Sequence, residues 1–211
     1  MHVQVFTFNP FTENTYILYD ESGDCAIVDP GCYTSAEEKI LVDFIKDTKL
    51  KPVSLLNTHC HIDHILGNQF IANKYNLKLA ANRLEVSNIK SALEYGPNYG
   101  LYLDNPPMPE IWLEGGKKTT FGKTTLEILF TPGHSAGSVC FYHPETKQVI
   151  SGDVLFKGSI GRTDLPGGSM EVLMRSIYQE LLPLGNEVVI YSGHGPATTI
   201  GNEKKYNSFL Q

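Results

Sequence analysis

The run Thr58-His59-Cys60-His61-Ile62-Asp63-His64 places three imidazoles and a carboxylate within six positions. Neutral imidazole nitrogen and carboxylate oxygen are ligands for borderline metals such as zinc or iron. In an extended segment residues two apart point the same way, so His59, His61 and Asp63 can share a face. His64 joins them if the chain turns there into the helix suggested by Ile65-Leu66-Gly67. One histidine alone would read as part of a solvated polar loop. H-x-H-x-D-H directly after an apolar, strand-like run (Val53, Leu55, Leu56) reads as a metal loop.

This loop needs partners from elsewhere in the chain. The candidates are His134 in Thr131-Pro132-Gly133-His134-Ser135, Asp153 in Ser151-Gly152-Asp153, and His194 in Ser192-Gly193-His194-Gly195. Each follows an apolar run with strand character, and each sits beside glycine, which permits a sharp turn and a close backbone approach. Rigid strand ends hold ligands better than free loops. Five of the seven histidines fall in such a context, whereas His2 and His143 lack it and read as surface residues. Cys60 stands between two candidate ligands, but alternation aims it away from them.

In this order, H-x-H-x-D-H followed by His, Asp and His at strand ends, the chain resembles the metallo-β-lactamase superfamily of hydrolases. The stretches Thr58 to Gly67, Gly152-Asp153-Val154-Leu155-Phe156 and Gly161-Arg162-Thr163-Asp164 most resemble its glyoxalase II-like (hydroxyacylglutathione hydrolase-like) branch. Asn14-Thr15-Tyr16 and Ile27-Val28-Asp29-Pro30-Gly31 fit the same branch. The resemblance implies two metal positions, one held by His59, His61 and His134 and the other by Asp63, His64 and His194, with Asp153 bridging them. It also implies two zinc ions per chain, iron or mixed metals being the alternatives. The reaction implied is attack of a metal-bridging hydroxide, oriented by Asp63, on thioesters such as S-lactoylglutathione. Metal coordination lowers the pKa of water toward neutral, so no side-chain nucleophile is required. Arg162 matches the place where glyoxalase II-like enzymes grip a substrate carboxylate; a loop-holding pair with Asp164 is the other reading of that residue.

The elements that must position these groups are legible in part. Strands are expected at Val3 to Phe6, Thr15 to Tyr19 and Cys25 to Val28, with a glycine turn between the last two. A helix follows from about Ser35, which can cap it with Glu38 three residues on. The strand Val53 to Leu56, the metal loop and a helix from about Ile65 to Tyr75 come next. From Ser87 to Gly115 the pattern weakens into an irregular, aromatic-bearing connector, or a loop that overhangs the site. The second part alternates strand runs with turns, then has a helix capped by Ser169 and running to about Leu182, and a last helix near Gly201. Strand runs, a helix and a strand ending in ligands thus occur twice. The expected fold class is α/β, a four-layer αββα sandwich of two pseudo-symmetric halves, which the resemblance implies as well.

Bulk properties narrow the function further. At 211 residues the chain suits a single domain of this type, and it lacks the helical C-terminal extension that full-length glyoxalase II enzymes use for glutathione. A net charge of −6 disfavours nucleic acid as a partner. The absence of a long apolar stretch disfavours membrane, and a start without a leader pattern suggests the cytoplasm. The four cysteines show no C-x-x-C pair and read as reduced thiols, Cys25 and Cys140 in the core. A small-molecule thioester is then the expected partner, and the sequence leaves the oligomeric state open. Through the same histidine motif and Gly161-Arg162-Thr163-Asp164 the chain also resembles persulfide dioxygenases, which implies as the alternative activity one iron held by His59, His134 and Asp153; a non-catalytic metal-binding subunit is a third reading. A β-lactam substrate ranks low, because Asp153 stands where those enzymes typically carry cysteine.

Overall fold

A computed structural model describes residues 1–211. The chain forms two compact units, residues 1–112 with 120–124, and residues 113–119 with 125–211.

The first unit is built on a six-stranded sheet in simple sequence order: β1 (His2–Phe8), β2 (Glu13–Tyr19), β3 (Asp24–Val28), β4 (Lys51–Leu56), β5 (Leu79–Ala81) and β6 (Ile111–Trp112). β1, β2 and β3 are antiparallel, joined by short turns, while β3 to β6 run parallel. Parallel neighbours need crossovers. These contain α1 (Ser35–Asp47), α2 (Ile62–Ile65) with α3 (Asn68–Tyr75), and α4 (Val86–Tyr95). Register pairs Val28 with Leu56 and Leu56 with Ala80. The residues that follow these three strands therefore leave the sheet side by side at its carboxyl edge, where α/β sheets present their ligand-binding groups.

Three expectations need correction here. The capping box of α1 lies one residue earlier than expected, on Thr34 and Glu37. Its register is set from outside the helix, because the Glu37 carboxylate also accepts the N–H groups of Asn9 (2.8 Å) and Tyr33 (2.9 Å). The helix expected over Ile65 to Tyr75 starts earlier and is broken at Leu66-Gly67. The Gly67 amide turns to Pro30 O (2.7 Å), and the Asp63 carbonyl, its helical partner by spacing, accepts from Asn9 Nδ2 (3.0 Å). Gly67 also lies so close to the β3–α1 connection that a Cβ would stand 2.5 Å from Cys32 Sγ. Finally, the stretch from Ser87 is not an irregular connector at its start but the helix α4. Val86, Ile89 and Leu93 of α4 do have helical spacing, and Ile89 and Ala92 are buried.

The second unit carries another six-stranded sheet, in the order β14 (Thr198–Thr199), β13 (Val189–Ser192), β10 (Gln148–Gly152), β9 (Val139–His143), β8 (Thr124–Phe130), β7 (Lys118–Phe121). A two-stranded hairpin, β11 (Leu155–Phe156) and β12 (Ser159–Ile160), stands apart from it. β10 and β13 are parallel, and β9 is antiparallel to both β8 and β10. β8, β10 and β13 therefore end at one edge of the sheet. α5 (Met170–Ser176) is capped by Ser169, whose Oγ accepts the Val172 N–H, as its sequence predicts. It continues through a wide π turn over Ile177–Leu181 rather than as one regular helix. α6 (Ile200–Tyr206) starts from Thr199. Each unit has its own apolar core, around Ile17, Ile27, Leu55 and Ile71 in the first and Val149, Leu173, Ile177 and Ile190 in the second. No helix is long and apolar enough to cross a membrane.

Candidate metal centre

In the first unit the connection from β4 into α2 brings together four of the expected ligands. The ring centroids of His59 and His61 lie 4.9 Å apart, and those of His59 and His64 4.1 Å apart. Asp63 departs only from the expectation of strand alternation. It stands on the helical turn α2, so its position does not follow from strand alternation with His59 and His61. Its Oδ2 lies 3.7 Å from His64 Nε2 instead. Cys60 points into the apolar core, fully buried, as alternation predicts.

In the second unit His134 follows β8, Asp153 follows β10 and His194 follows β13. The Nε2 atoms of His134 and His194 each lie 3.5 Å from Asp153 Oδ2. That separation is long for a hydrogen bond. It matches the span between two ligand atoms that each stand about 2.0–2.2 Å from one tetrahedral ion, roughly 3.4 Å. Gly161 lets the chain pass here, since a Cβ at that position would lie 1.9 Å from the Asp153 carbonyl oxygen.

Partners on the other ring nitrogen decide which atom each histidine can offer. His64 Nδ1 faces Asp29 Oδ2 at 3.1 Å, and His134 Nδ1 faces the Arg162 carbonyl at 2.8 Å. A carboxylate and a carbonyl accept only, so both rings carry a proton on Nδ1, which makes Nε2 the ligand atom of the neutral ring. His59 Nδ1 lies 3.1 Å from Thr58 Oγ1, whose own proton goes to Asp29 Oδ2 at 2.5 Å. Thr58 can then only accept, and His59 has the same tautomer. Metal-ligating histidines are oriented in this manner by oxygen acceptors behind them. The donor set fits divalent zinc or iron.

Asp29 organises the first half and was not singled out as a site residue in the sequence. Besides His64 and Thr58 Oγ1, its carboxylate accepts the Thr58 N–H (2.7 Å) and Asn57 Nδ2 (3.0 Å). Asn57 Nδ2 in turn reaches the His64 carbonyl at 2.9 Å. Asp29 follows a strand and precedes Pro30-Gly31, the same context that marked His134, Asp153 and His194, so the rule could have found it. Glu13 and Glu85, both fully buried, lack that mark. Burial pushes the Glu13 carboxyl well above the ordinary range, an effect His64 partly offsets. A Cβ on Gly31 would fall 2.0 Å from Glu13 Oε2.

One further residue falls differently from expectation, and another shows one of its two readings. His143 is buried, not at the surface, with Nδ1 2.7 Å from Thr146 Oγ1 in the β9–β10 turn. Arg162 is exposed and makes a bidentate pair with Asp164, Nε to Oδ1 and Nη2 to Oδ2, both at 2.7 Å. That hydrogen-bonded pairing lowers the Asp164 carboxyl to about 2.

The sequence matches the profile described as the metallo-beta-lactamase superfamily over residues 8–194. The chain belongs to the metallo-β-lactamase superfamily. Hydroxyacylglutathione hydrolase GloC of Haemophilus influenzae is 34% identical over 212 residues, covering 100% of this chain and 98% of the relative. Among solved structures, the BLEG-1 B3 metallo-beta-lactamase is 34% identical with a TM-score of 0.87, covering 100% of both chains. TTHA1623, solved in a di-iron-bound form, is 37% identical with a TM-score of 0.88, covering 99% of this chain and 100% of that one. The α/β fold is thus that of the metallo-β-lactamase superfamily, a class of metal-dependent hydrolases. The histidine and carboxylate groups of each unit are donors of the kind that class requires.

Proposed function

We propose that the protein is a binuclear metal-dependent hydrolase of thioesters of the S-lactoylglutathione kind. His59, His61 and His134 would hold one ion and Asp63, His64 and His194 the other, with Asp153 shared between them. The observation that carries this reading is the single oxygen Asp153 Oδ2 standing 3.5 Å from two imidazole nitrogens whose elements converge on it. The full-length likeness to GloC supports the thioester class. When bound, the ions supply Lewis acidity and a water acidified toward neutral pH. The chain's own part is to aim and to stabilise. Asp63 would accept a hydrogen bond from the attacking water and so direct its lone pair at the thioester carbonyl. The Nδ1 partners of His59, His64 and His134 keep the rings from turning as charge develops. Arg162 would grip a substrate carboxylate, exchanging Asp164 for it.

Metal analysis of protein from its own host, with turnover of S-lactoylglutathione, glutathione persulfide and a chromogenic β-lactam, tests this. Two ions per chain with thioester cleavage well ahead of the other two activities is the expected result. One iron per chain with oxygen consumption on persulfide would assign the dioxygenase instead, and β-lactam turnover ahead of thioester would reassign the substrate class. Asp153→Ala should cut turnover on the order of a thousandfold or more, because metal activation of water carries the chemistry. A variant that keeps more than about a tenth of wild-type turnover with full metal content removes the bridging role.

A further inference from the structure

The segment from His59 to His61 belongs to no helix or strand, so its backbone N–H groups find no partner in a regular ladder. Buried amides of this kind require acceptors from elsewhere. Two of them come from the two ends of α4. Just before its first turn, Glu85 Oε2 accepts the Cys60 N–H at 2.7 Å. Its last residue, Tyr95, accepts the Ile62 N–H on its phenol oxygen at 3.3 Å. The Cys60 amide is the peptide that follows His59, and the Ile62 amide the one that follows His61. Glu85 is fully buried, and Asn88 Nδ2 holds the same oxygen at 2.8 Å. Past the helix, Gly96 lies against the loop so closely that a Cβ would stand 2.7 Å from Ile62 Cδ1.

We propose that Glu85 and Tyr95 are positioning residues, a brace that fixes the Cys60 and Ile62 peptides and so holds His59 and His61 in the splay that receives a cation. The cation part rests on the ligand assignment proposed above; the brace itself does not. Because Asp29 separately anchors His64, the brace acts on one end of the loop. Loss of the brace weakens the ion held by His59 and His61 and spares the ion held by Asp63 and His64.

Two measurements test this on the full chain. In metal-free protein, amide hydrogen exchange followed by NMR reads the brace directly. Tyr95→Phe removes one oxygen and should speed exchange at Ile62 about five- to tenfold, with Cys60 little changed. Glu85→Ala should do the same at Cys60, and Glu85→Gln, which keeps an acceptor, should restore most of the protection. Cobalt(II) titration of the same proteins reads the consequence. One of two dissociation constants should rise about ten- to a hundredfold in Glu85→Ala and by less in Tyr95→Phe, the other moving less than about threefold. Unchanged exchange at both amides overturns the brace, and equal weakening of both ions overturns its selectivity. If Glu85→Ala does not fold, Tyr95→Phe and Glu85→Gln decide the question. A wild-type chain that binds no divalent cation defeats the ligand assignment, and exchange at Ile62 and Cys60 then still separates a true brace from a false one.

Discussion

Arg162 shows how a residue's type and its setting can point in different directions. By type and place it reads as a carboxylate-gripping group, the role proposed above, yet its side chain already holds Asp164 through two parallel hydrogen bonds. An exposed ion pair contributes little to stability, so the pair is open to exchange with a substrate carboxylate. Arg162→Ala should raise KM for a glutathione thioester about tenfold or more while kcat changes little, since such a contact is made equally in ground and transition states. Asp164→Ala frees the guanidinium and should leave KM level or lower it. Parallel rises in KM for both variants, on charged and uncharged thioesters alike, would show that the pair merely holds the loop. Cys60 is plainer. Sitting in the core with its side chain away from the imidazoles, it should tolerate Cys60→Ala with full metal content and a loss of only about 1 kcal/mol in urea unfolding. A stripped ion in that variant would make Cys60 a ligand.

At the scale of elements, signals local to the chain were readable and signals from tertiary contact were not. Ser169 announces α5 because its cap is satisfied within its own first turn. Thr34 displaces Ser35 because Glu37 answers to Asn9, which is distant in sequence. The helix through Ile65 breaks because Pro30 and Asn9 take its hydrogen bonds. The helix α6 offers a test of acid sensitivity. Burial alone would raise the Glu203 carboxyl, but hydrogen bonds from Thr198, Asn202, Gly158 and Asn207 outweigh it and hold the group below its ordinary value. A carboxyl depressed in the folded state adds stability above its unfolded pKa, about 4.3, and loses it as pH falls through the folded value. Urea midpoints at about pH 7, 5 and 3.5 should fall more steeply for wild type than for Glu203→Gln, which starts lower at neutral pH. Equal slopes would mean that Glu203 is not the titrating anchor.

Over the whole molecule, the candidate ligands His134, Asp153 and His194 were legible because each lies past a strand and beside a glycine of positive φ. What could not be read was the layer behind those ligands. Asn57, Glu13 and Glu85 act through contacts that only the folded sheets create, and nothing in their neighbours' spacing marks them, whereas Asp29 carries the strand-end mark. The fate of the thiols follows from burial at the same scale. All four cysteines are free and buried, and burial pushes Cys25 up to about 12 and Cys32 and Cys60 above their ordinary range. Thiolate is the form that exchanges with disulfides and reacts with electrophiles, and these groups scarcely form it. Native protein should therefore react with an aromatic disulfide reagent only as fast as it opens, all four thiols appearing together on unfolding; one fast-reacting thiol in the native state would contradict this. If the chain cleaves thioesters as proposed, each turnover would release a thiol beside these buried groups. With all four cysteines buried, the folded chain should then exchange no disulfide with the thiols it sets free.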